Sequence, residues 1–391
     1  MKFHRIVFLL LTFAIGSTHG FAQSNGKCIT IGAQRTETYL PLLKNKNVAL
    51  LVNHTSKIGS THLIDSLKAL DVNVTKIFAP EHGIRGNADA GEKVDHTIDA
   101  KTGLPVISLY GKNKKPSAQN LEGIDVVIFD IQDVGVRFYT YISSMHYMME
   151  ACAENSIPFI VFDRPNPNGD YIDGPILKPE YKSFVGMHPI PVVHGLTVGE
   201  LARMINCEGW LEGGKKCELT IIEMENYTHA TIVAPADKPS PNLPNLLSIR
   251  LYPSLCWFEG TDISVARGTL FPFQAIGYPN PNMGSFTFTP RSIEGMSKNP
   301  PQKDKECFGL DLRHENNSHR MTLKYLLDFY QLFPDQPKFF SNARFFDLLA
   351  STNQLRLMII NGKTEEEIRQ AWQPELSEYQ TLRDKYLLYP L

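Results

Sequence analysis

The sequence predicts an α/β fold: a Rossmann-like three-layer domain with a mainly parallel sheet, plus a smaller C-terminal α+β domain. Apolar runs of strand length recur through the first half of the chain without the alternation of a half-exposed strand, as in parallel strands covered on both faces. Segments with helical spacing separate these runs, which is the pattern of strand–helix–strand crossovers. In the second half, strands and helices are mixed.

Five apolar runs are expected to form strands of the parallel sheet. They are NVALLVNH (47–54), NVTKIFAPEHG (73–83), LPVISLYG (104–111), IDVVIFDIQDVG (124–135) and IPFIVFDRPNP (157–167). Helices are expected at 61–70, 140–155 and 194–209, and Thr197 with Glu200 forms a capping box that opens the third.

A stretch rich in proline and asparagine, APADKPSPNLPNL (234–246), indicates the domain boundary. We expect a Rossmann-like domain over 28–238, ending after a strand at 217–227, and a smaller domain over 239–391 that closes the cleft.

The N-terminal segment 1–22 has the pattern of a secretory signal peptide. Lys2 and Arg5 precede an apolar run, and small and polar residues follow up to Ala22. The run is too short to span a membrane, and the SNGK before Cys28 does not fit a lipoprotein signal. We therefore expect an exported protein, periplasmic or extracellular, without a membrane anchor after cleavage.

Charge and cysteine content exclude several classes of protein. The formal net charge is −2 and no basic stretch occurs, which argues against nucleic acid or an anionic membrane as partner. The six cysteines include no CxxC pair, so a zinc ribbon is not expected. In an oxidising compartment Cys207 and Cys217 are the expected disulfide pair, whereas Cys152 is expected to be buried and reduced.

Polar side chains follow each of the five expected strands. Because ligands bind at the carboxyl ends of parallel strands, these side chains should line one cleft. They are Asn53, His54, Glu81, His82, Tyr110, Asp130, Gln132, Asp133, Arg137, Tyr139, Asp163 and Arg164. The mixture suits a polyhydroxylated ligand, arginine can bind a carboxylate through two hydrogen bonds, and two carboxylates are the minimum for hydrolysis of a glycosidic bond.

Motifs for other ligands are missing from the sequence. The turn after the first strand has no GxGxxG, and neither GxxxxGK[ST] nor GxSxG occurs, which disfavours a dinucleotide, a nucleotide phosphate and an α/β-hydrolase serine. No cofactor and no metal are expected, because the histidines show neither HxH nor HExxH spacing. A metal-dependent hydrolase and a glycan-binding protein without catalysis are the alternatives for the same cleft.

Several longer motifs resemble those of the exo-β-N-acetylmuramidase family of NamZ type. In chain order they are FAPEHGIRG, TGLPVISLYG, DVVIFDIQDVGVRFYTYISSM, DRPNPNG, HGLTVGELA, PSPNLP and WFEGTDISVARGT. The resemblance runs from about Val48 to the C-terminus. It implies a site between the two domains and an exo-acting glycoside hydrolase that releases terminal β-linked N-acetylmuramic acid from the non-reducing end of peptidoglycan fragments. Peptidoglycan-derived disaccharides and muropeptides are the implied partners.

Roles for the candidate catalytic residues follow from this resemblance. Glu81 is expected to be the general acid, with pairing to Arg85 as its alternative. Glu92 and Asp133 are the other catalytic candidates, and whether Glu81 or Glu92 gives the proton stays open. The 2-acetamido group of the sugar is an alternative to an enzymic nucleophile.

The remaining candidates are expected to contact the substrate. Arg137, Arg164 and Arg267 are alternatives for binding the lactyl carboxylate of muramic acid. Glu259 is expected to close over the sugar from the second domain, and His194 either begins a helix or contacts the ligand. For Asp130 and Asp133 a structural tie to Arg137 is the alternative, and for the pair Asp163–Arg164 it is a buried brace. The other substrate-binding candidates are Asn53, His54, His82, Gln132, Tyr110 and Tyr139.

Overall fold

The computed structural model of the chain describes residues 28–80, 84, 97–111 and 113–391. Nine strands occur among the described residues of its first domain. They are β1 (Val48–Val52), β2 (Lys57–Ile58), β3 (Thr61–His62), β4 (Val74–Ala79), β5 (Thr97–Ile98), β6 (Pro105–Ser108), β7 (Val126–Asp130), β8 (Phe159–Phe162) and β9 (Leu219–Ile222).

Seven of these strands form one sheet in the order β5-β6-β4-β1-β7-β8-β9, while β2 and β3 form a separate hairpin. All neighbours in the large sheet are parallel except the edge strand β5. Every residue of β1, β7 and β8 is buried, which is why these strands appear in the sequence as continuous apolar runs. The strand order reverses between β1 and β7, as in doubly wound folds, so the predicted Rossmann-like sheet is confirmed.

Ten helices occur among the described residues. They are α1 (Thr36–Leu43), α2 (Leu63–Ala69), α3 (Ala118–Leu121), α4 (Tyr141–Glu154), α5 (Val198–Cys207), α6 (Leu246–Leu255), α7 (Lys324–Leu332), α8 (Ala343–Ala350), α9 (Gln354–Ile360) and α10 (Glu365–Arg383). The capping box of α5 is confirmed, because the side chains of Thr197 and Glu200 each accept the other's backbone N–H. None of the described helices has the length and apolar character needed to cross a membrane.

The smaller second domain surrounds an antiparallel sheet of β10 (Ala275–Tyr278), β11 (Phe286–Phe288) and β12 (Cys307–Asp311), with β12 in the middle. Helix α6 precedes this sheet in the chain, and α7 to α10 follow it. One cluster of buried apolar side chains runs from Phe129 on β7 through Tyr252 on α6 to Phe346 on α8. The two domains therefore share a continuous core, and the α+β character of the second domain is confirmed.

The expected Cys207–Cys217 disulfide is wrong. All six cysteines are among the described residues and all are reduced. The side chain of Asn206 instead ties the backbone of Cys217, donating to its carbonyl at 2.9 Å and accepting from its N–H at 2.8 Å. Cys152 is buried and reduced, as predicted.

Candidate functional site

The carboxyl ends of β1, β4, β6, β7 and β8 meet at one edge of the sheet, because these strands are mutually parallel. Those predicted polar residues that the structure describes are thus brought to the same side of the first domain. Glu81, His82 and Glu92 lie outside the described residues, so the structure gives no account of their positions. Tyr110 follows β6 and is partly buried.

A network of side chains ties the end of β1 to the end of β7, at the point where the strand order reverses. Asn53 Oδ1 accepts from the N–H of Thr55 at 2.8 Å and from its hydroxyl at 2.6 Å. The same hydroxyl accepts from the N–H of Gln132 at 3.0 Å, and the hydroxyl of Ser56 donates to the carbonyl of Asp130. Sequence analysis missed Thr55 and Ser56, although an asparagine two residues before a threonine is a signal for such a turn.

Asp130 and Arg164 form a buried, bidentate salt bridge. Arg164 Nε donates to Asp130 Oδ1 at 2.5 Å, and Nη2 donates to Oδ2 at 2.9 Å. Arg164 Nη2 also donates to the carbonyl of Lys57 at 3.1 Å, which joins the ends of β7 and β8 to the start of β2. The Asp130 carboxylate is therefore paired with Arg164. Sequence analysis had considered Arg137 as its partner.

Asp163 has the contacts of a structural brace. It is fully buried and its oxygens accept four hydrogen bonds, from the backbone of Arg164 and Gly199 and from the hydroxyls of Thr197 and Tyr389, at 2.7 to 3.0 Å. Burial, with a contribution from neighbouring charge, raises the pKa of Asp163 to about 6. These contacts fix the start of α5 and the C-terminal tail to the end of β8.

Asp133 and His194 form a second buried polar group. Asp133 Oδ2 accepts from the N–H of Gly135 at 2.6 Å and lies 3.9 Å from His194 Nε2. His194 Nδ1 accepts from the N–H of Leu196 at 3.2 Å, so a neutral imidazole carries its proton on Nε2, toward Asp133. Burial raises the pKa of Asp133 to about 7 and lowers that of His194 to about 3. Asp133 can therefore hold a proton near neutral pH.

Arg137 is fully buried at the junction of the two domains. Its Nη1 donates to the carbonyls of Pro175 at 2.7 Å and Ile190 at 2.6 Å, and its Nη2 donates to those of Leu349 at 3.1 Å and Ala350 at 3.2 Å. The last two carbonyls lie at the C-terminus of α8, where the helix dipole favours a cation. Burial lowers the pKa of Arg137 to about 9. These are the contacts of a brace between domains, unlike the expected contact with a ligand carboxylate.

The proline-rich segment that indicated a domain boundary crosses the strand ends. His54 Nε2 donates to the carbonyl of Lys238 at 2.7 Å, and the Tyr139 hydroxyl donates to that of Pro239 at 2.6 Å. The amino-acid composition of the segment did not indicate its contact with His54 and Tyr139. Both hydrogen bonds are accepted by backbone carbonyls and not by side chains. His54 and Tyr139 thus position a wall of the site.

The second domain contributes an ion pair of Glu259 and Arg267 that remains partly open to solvent. Arg267 Nε and Nη2 both donate to Glu259 Oε1, at 2.8 and 2.6 Å, and about a fifth of each side chain is exposed. The guanidinium carbon lies 5.0 Å from the centre of the Phe273 ring. Ala266 and Phe273 have φ values of 59° and 56°, a left-handed backbone that is strained for these residues and often found at functional sites.

Ring contacts connect this pair to the strand ends of the first domain. The rings of Phe273 and Tyr252 are 4.9 Å apart, and those of Tyr252 and Tyr139 are 6.3 Å apart. Residues of the second domain therefore contact Tyr139 of the first domain through these rings. Within the part of the chain that the structure describes, no group of three or more His, Cys, Asp or Glu side chains is arranged to hold a metal ion.

Comparison with known proteins places both halves of the chain in one family. The family model for the N-terminal domain of exo-beta-N-acetylmuramidase NamZ matches residues 48–247, and the model for its C-terminal domain matches residues 250–389. The chain is 39% identical over 374 residues to the peptidoglycan beta-N-acetylmuramidase NamZ of Bacillus subtilis (strain 168), covering 90% of this chain and 89% of that protein.

Two crystal structures from Bacteroides fragilis share the fold, and both are of DUF1343 family proteins. One has a TM-score of 0.86 and 47% identity, covering 93% of this chain and 99% of the other. The second has a TM-score of 0.80 and 30% identity, covering 92% and 99%. With both domains matched in order and a relative this similar over nearly its whole length, the chain belongs to the exo-β-N-acetylmuramidase NamZ family of glycoside hydrolases.

Proposed function

We propose that this protein is an exo-acting glycoside hydrolase that releases terminal β-linked N-acetylmuramic acid from the non-reducing end of peptidoglycan fragments. The observation that carries the proposal is the match of both domains to one muramidase family, together with 39% identity to a protein named as a peptidoglycan β-N-acetylmuramidase. Disaccharides and muropeptides derived from peptidoglycan are the proposed substrates.

Three aspartates lie at or just after the carboxyl ends of β7 and β8, and their contacts reduce the number of candidate proton donors. Asp130 is held by Arg164, Asp163 accepts four hydrogen bonds, and Asp133 is buried beside His194. A general acid must reach the glycosidic oxygen, so none of the three is well placed to donate to an outside ligand. We propose Glu81 as the acid, since it follows β4 by two residues, with Glu92 as the other candidate.

Arg267 is the proposed partner of the lactyl carboxylate of muramic acid. Of the three arginines considered, Arg137 is fully buried and Arg164 is committed to Asp130. Arg267 keeps 21% of its side chain exposed, and Nη1 makes no hydrogen bond with any described residue. A planar guanidinium can bind a carboxylate through two N–H groups once Glu259 shifts to a single contact.

The proposed location of this activity is outside the cytoplasmic membrane, either periplasmic or extracellular. The first 22 residues have the composition of a signal peptide, and peptidoglycan lies on that side of the membrane. Edman sequencing of the protein recovered from its native host would show a mature chain that begins after Ala22. A chain that retains Met1 would contradict this proposal.

The experiment that tests the function is hydrolysis of a chromogenic β-N-acetylmuramide, compared with the matching glucosaminide. We expect turnover of the muramide, and, on a disaccharide whose leaving sugar needs a proton, a loss of about 100-fold to 10,000-fold in kcat for Glu81→Gln, as for removal of a general acid. Glu92→Gln is the test of the other candidate, and Glu122→Gln, at an exposed glutamate, is the control. Binding of the muramide without turnover would indicate a glycan-binding protein, and activity lost in chelator but restored by zinc would indicate a metal-dependent hydrolase.

A further inference from the structure

A cavity of about 300 Å³ opens beside the point where the strand order reverses. Thr55 after β1, Gln132 after β7 and Arg164 after β8 line one side, and residues 233–237 line the other. The volume is sufficient for one sugar ring or a substituent of one. The inference below concerns this cavity and rests on the proposed function.

Gln132 turns a hydrogen-bond acceptor toward the cavity. Its Nε2 lies 2.8 Å from the carbonyl of Asp133 and 2.7 Å from that of Pro165. Both carbonyls can only accept, so the amide nitrogen must be the atom that faces them. Gln132 Oε1 then has no partner among the described residues and is available to an N–H group of a ligand.

Arg164 provides the complementary donor. Its Nε and Nη2 hold Asp130, and Nη2 also reaches the carbonyl of Lys57. In this side-on arrangement Nη1 points away from the carboxylate, and it makes no hydrogen bond within the described part of the chain. The side chain is buried apart from the cavity that it lines. Two N–H groups are therefore left for an oxygen of a ligand.

The remaining lining is electrically balanced and partly apolar. Lys57, at the mouth, forms an ion pair with Asp237, and the charge of Arg164 is balanced by Asp130. A carboxylate or phosphate would find no unpaired cation here. Ile29, Ile31 and Val233 form an apolar part of the wall. One donor, one acceptor and an apolar surface fit a neutral secondary amide that carries a small alkyl group.

The cavity adjoins the part of the sheet edge from which Glu81 follows. Lys57 also lines a second cavity of about 300 Å³, together with His54, His62 and Ile84. Ile84 belongs to the same FAPEHGIRG motif as Glu81. A ligand held against Gln132 and Arg164 thus lies across the side chain of Lys57 from the cavity that Ile84 lines.

We propose that the cavity binds the acetamido group of the sugar on the leaving-group side of the scissile bond. The acetamido oxygen accepts from Arg164 Nη1, its N–H donates to Gln132 Oε1, and its methyl group packs against the apolar wall. The enzyme then selects fragments whose second sugar is N-acetylated, in addition to the muramic acid that it releases.

Two disaccharide substrates test this proposal: N-acetylmuramic acid β-linked to N-acetylglucosamine, and the same sugar β-linked to glucose, which is neutral and lacks the acetamido group. We expect kcat/KM to be about tenfold higher for the first, the net effect of one or two hydrogen bonds. Ala234→Phe and Ala236→Phe fill the cavity from exposed wall positions and should reduce this ratio to about one. Ala230→Phe, at an exposed alanine of the same segment outside the cavity, should retain it.

Binding of free N-acetylglucosamine separates the failure of this proposal from the failure of the proposed function. If no muramide is hydrolysed, the function fails, but saturation-transfer NMR with N-acetylglucosamine and glucose still reports on the cavity. Preferential binding of the acetylated sugar that the two phenylalanine variants abolish would support the cavity. Equal kcat/KM for the two disaccharides, or a preference that survives both variants, would overturn the placement of the leaving sugar.

Discussion

Two buried arginines, Arg164 at the sheet edge and Arg137 at the domain junction, show how differently the fold uses the same side chain. Arg164 is balanced by Asp130 through Nε and Nη2, which leaves Nη1 without a hydrogen bond among the described residues, and the side chain lines a cavity. Arg137 has no carboxylate partner among its described contacts and places both Nη atoms on backbone carbonyls. A buried guanidinium can face a ligand where a carboxylate holds it from the side. Where carbonyls surround it, it is a structural brace.

The largest loss of stability is expected for Arg137→Met. The substitution leaves the buried carbonyls of Pro175, Leu349 and Ala350 without a donor, each worth about 1 to 3 kcal/mol, whereas that of Ile190 keeps the N–H of Leu177. We expect the free energy of unfolding to fall by about 4 kcal/mol or more, measured by urea denaturation. Arg344→Met, at an exposed arginine, is the control and should change little. A loss below about 1 kcal/mol for Arg137→Met would show that the junction does not depend on this brace.

A smaller loss is expected for Arg164→Lys, together with a change in specificity. Lysine keeps the charge beside Asp130 but cannot make the two parallel hydrogen bonds or supply Nη1, so we expect a loss of about 2 to 3 kcal/mol. The preference for an N-acetylated leaving sugar should fall in this variant. If stability falls but the preference is unchanged, Arg164 is a brace like Arg137, and the contrast between the two arginines is wrong.

Asp133 is a buried carboxylate that pairs with neither arginine, and its effect should depend on pH. Its pKa is about 7 in the folded protein against 3.8 as the ordinary value, so the folded state binds its proton more tightly. Stability from this group is present at low pH and is lost as the pH rises through 7. Because this loss begins near pH 3.8, Asp133→Asn should already be somewhat stabilising at pH 5 and about 2 to 3 kcal/mol more stabilising at pH 8. Equal effects on the unfolding midpoint at both pH values would contradict this assignment.

The smallest effect on stability is expected for Glu259→Gln. The pair with Arg267 is partly exposed, and such pairs contribute about 1 kcal/mol or less. The variant removes the charge that competes with the lactyl carboxylate for Arg267. We therefore expect KM for the muramide to decrease while the unfolding midpoint in urea stays nearly constant. A large loss of stability with unaltered KM would give this pair the structural role of Arg137.

The sequence was sufficient to predict the sheet and the edge at which polar residues gather, because both follow from local properties. Continuous apolar runs indicate strands buried on both faces, and parallel strands bring their ends together. The partners of those residues were not predictable in this way. Whether Asp130 pairs with Arg164 or Arg137 depends on the direction of side chains that are 34 and 7 residues away along the chain.

Backbone contacts were harder still to predict from the sequence. Arg137 donates to the carbonyls of Leu349 and Ala350, and Tyr139 donates to that of Pro239. Every residue has a backbone carbonyl, so the residue type does not indicate which carbonyl will accept a hydrogen bond. Glu200 was predicted as half of a capping box, and the structure confirms it. Its other oxygen accepts from His229 at 3.0 Å and from the N–H of Leu388 at 2.8 Å, which the spacing of the box could not indicate.

The C-terminal tail has a consequence for how the protein is made and handled. The buried Asp163 and Glu200 of the first domain receive hydrogen bonds from Tyr389 and Leu388, within the last four residues of the chain. The first domain therefore completes its polar interior only after the segment that carries Leu388 and Tyr389 has been synthesised and has docked against it. Fragments that end at the domain boundary lack these donors and leave the oxygens of Asp163 and Glu200 with fewer hydrogen bonds.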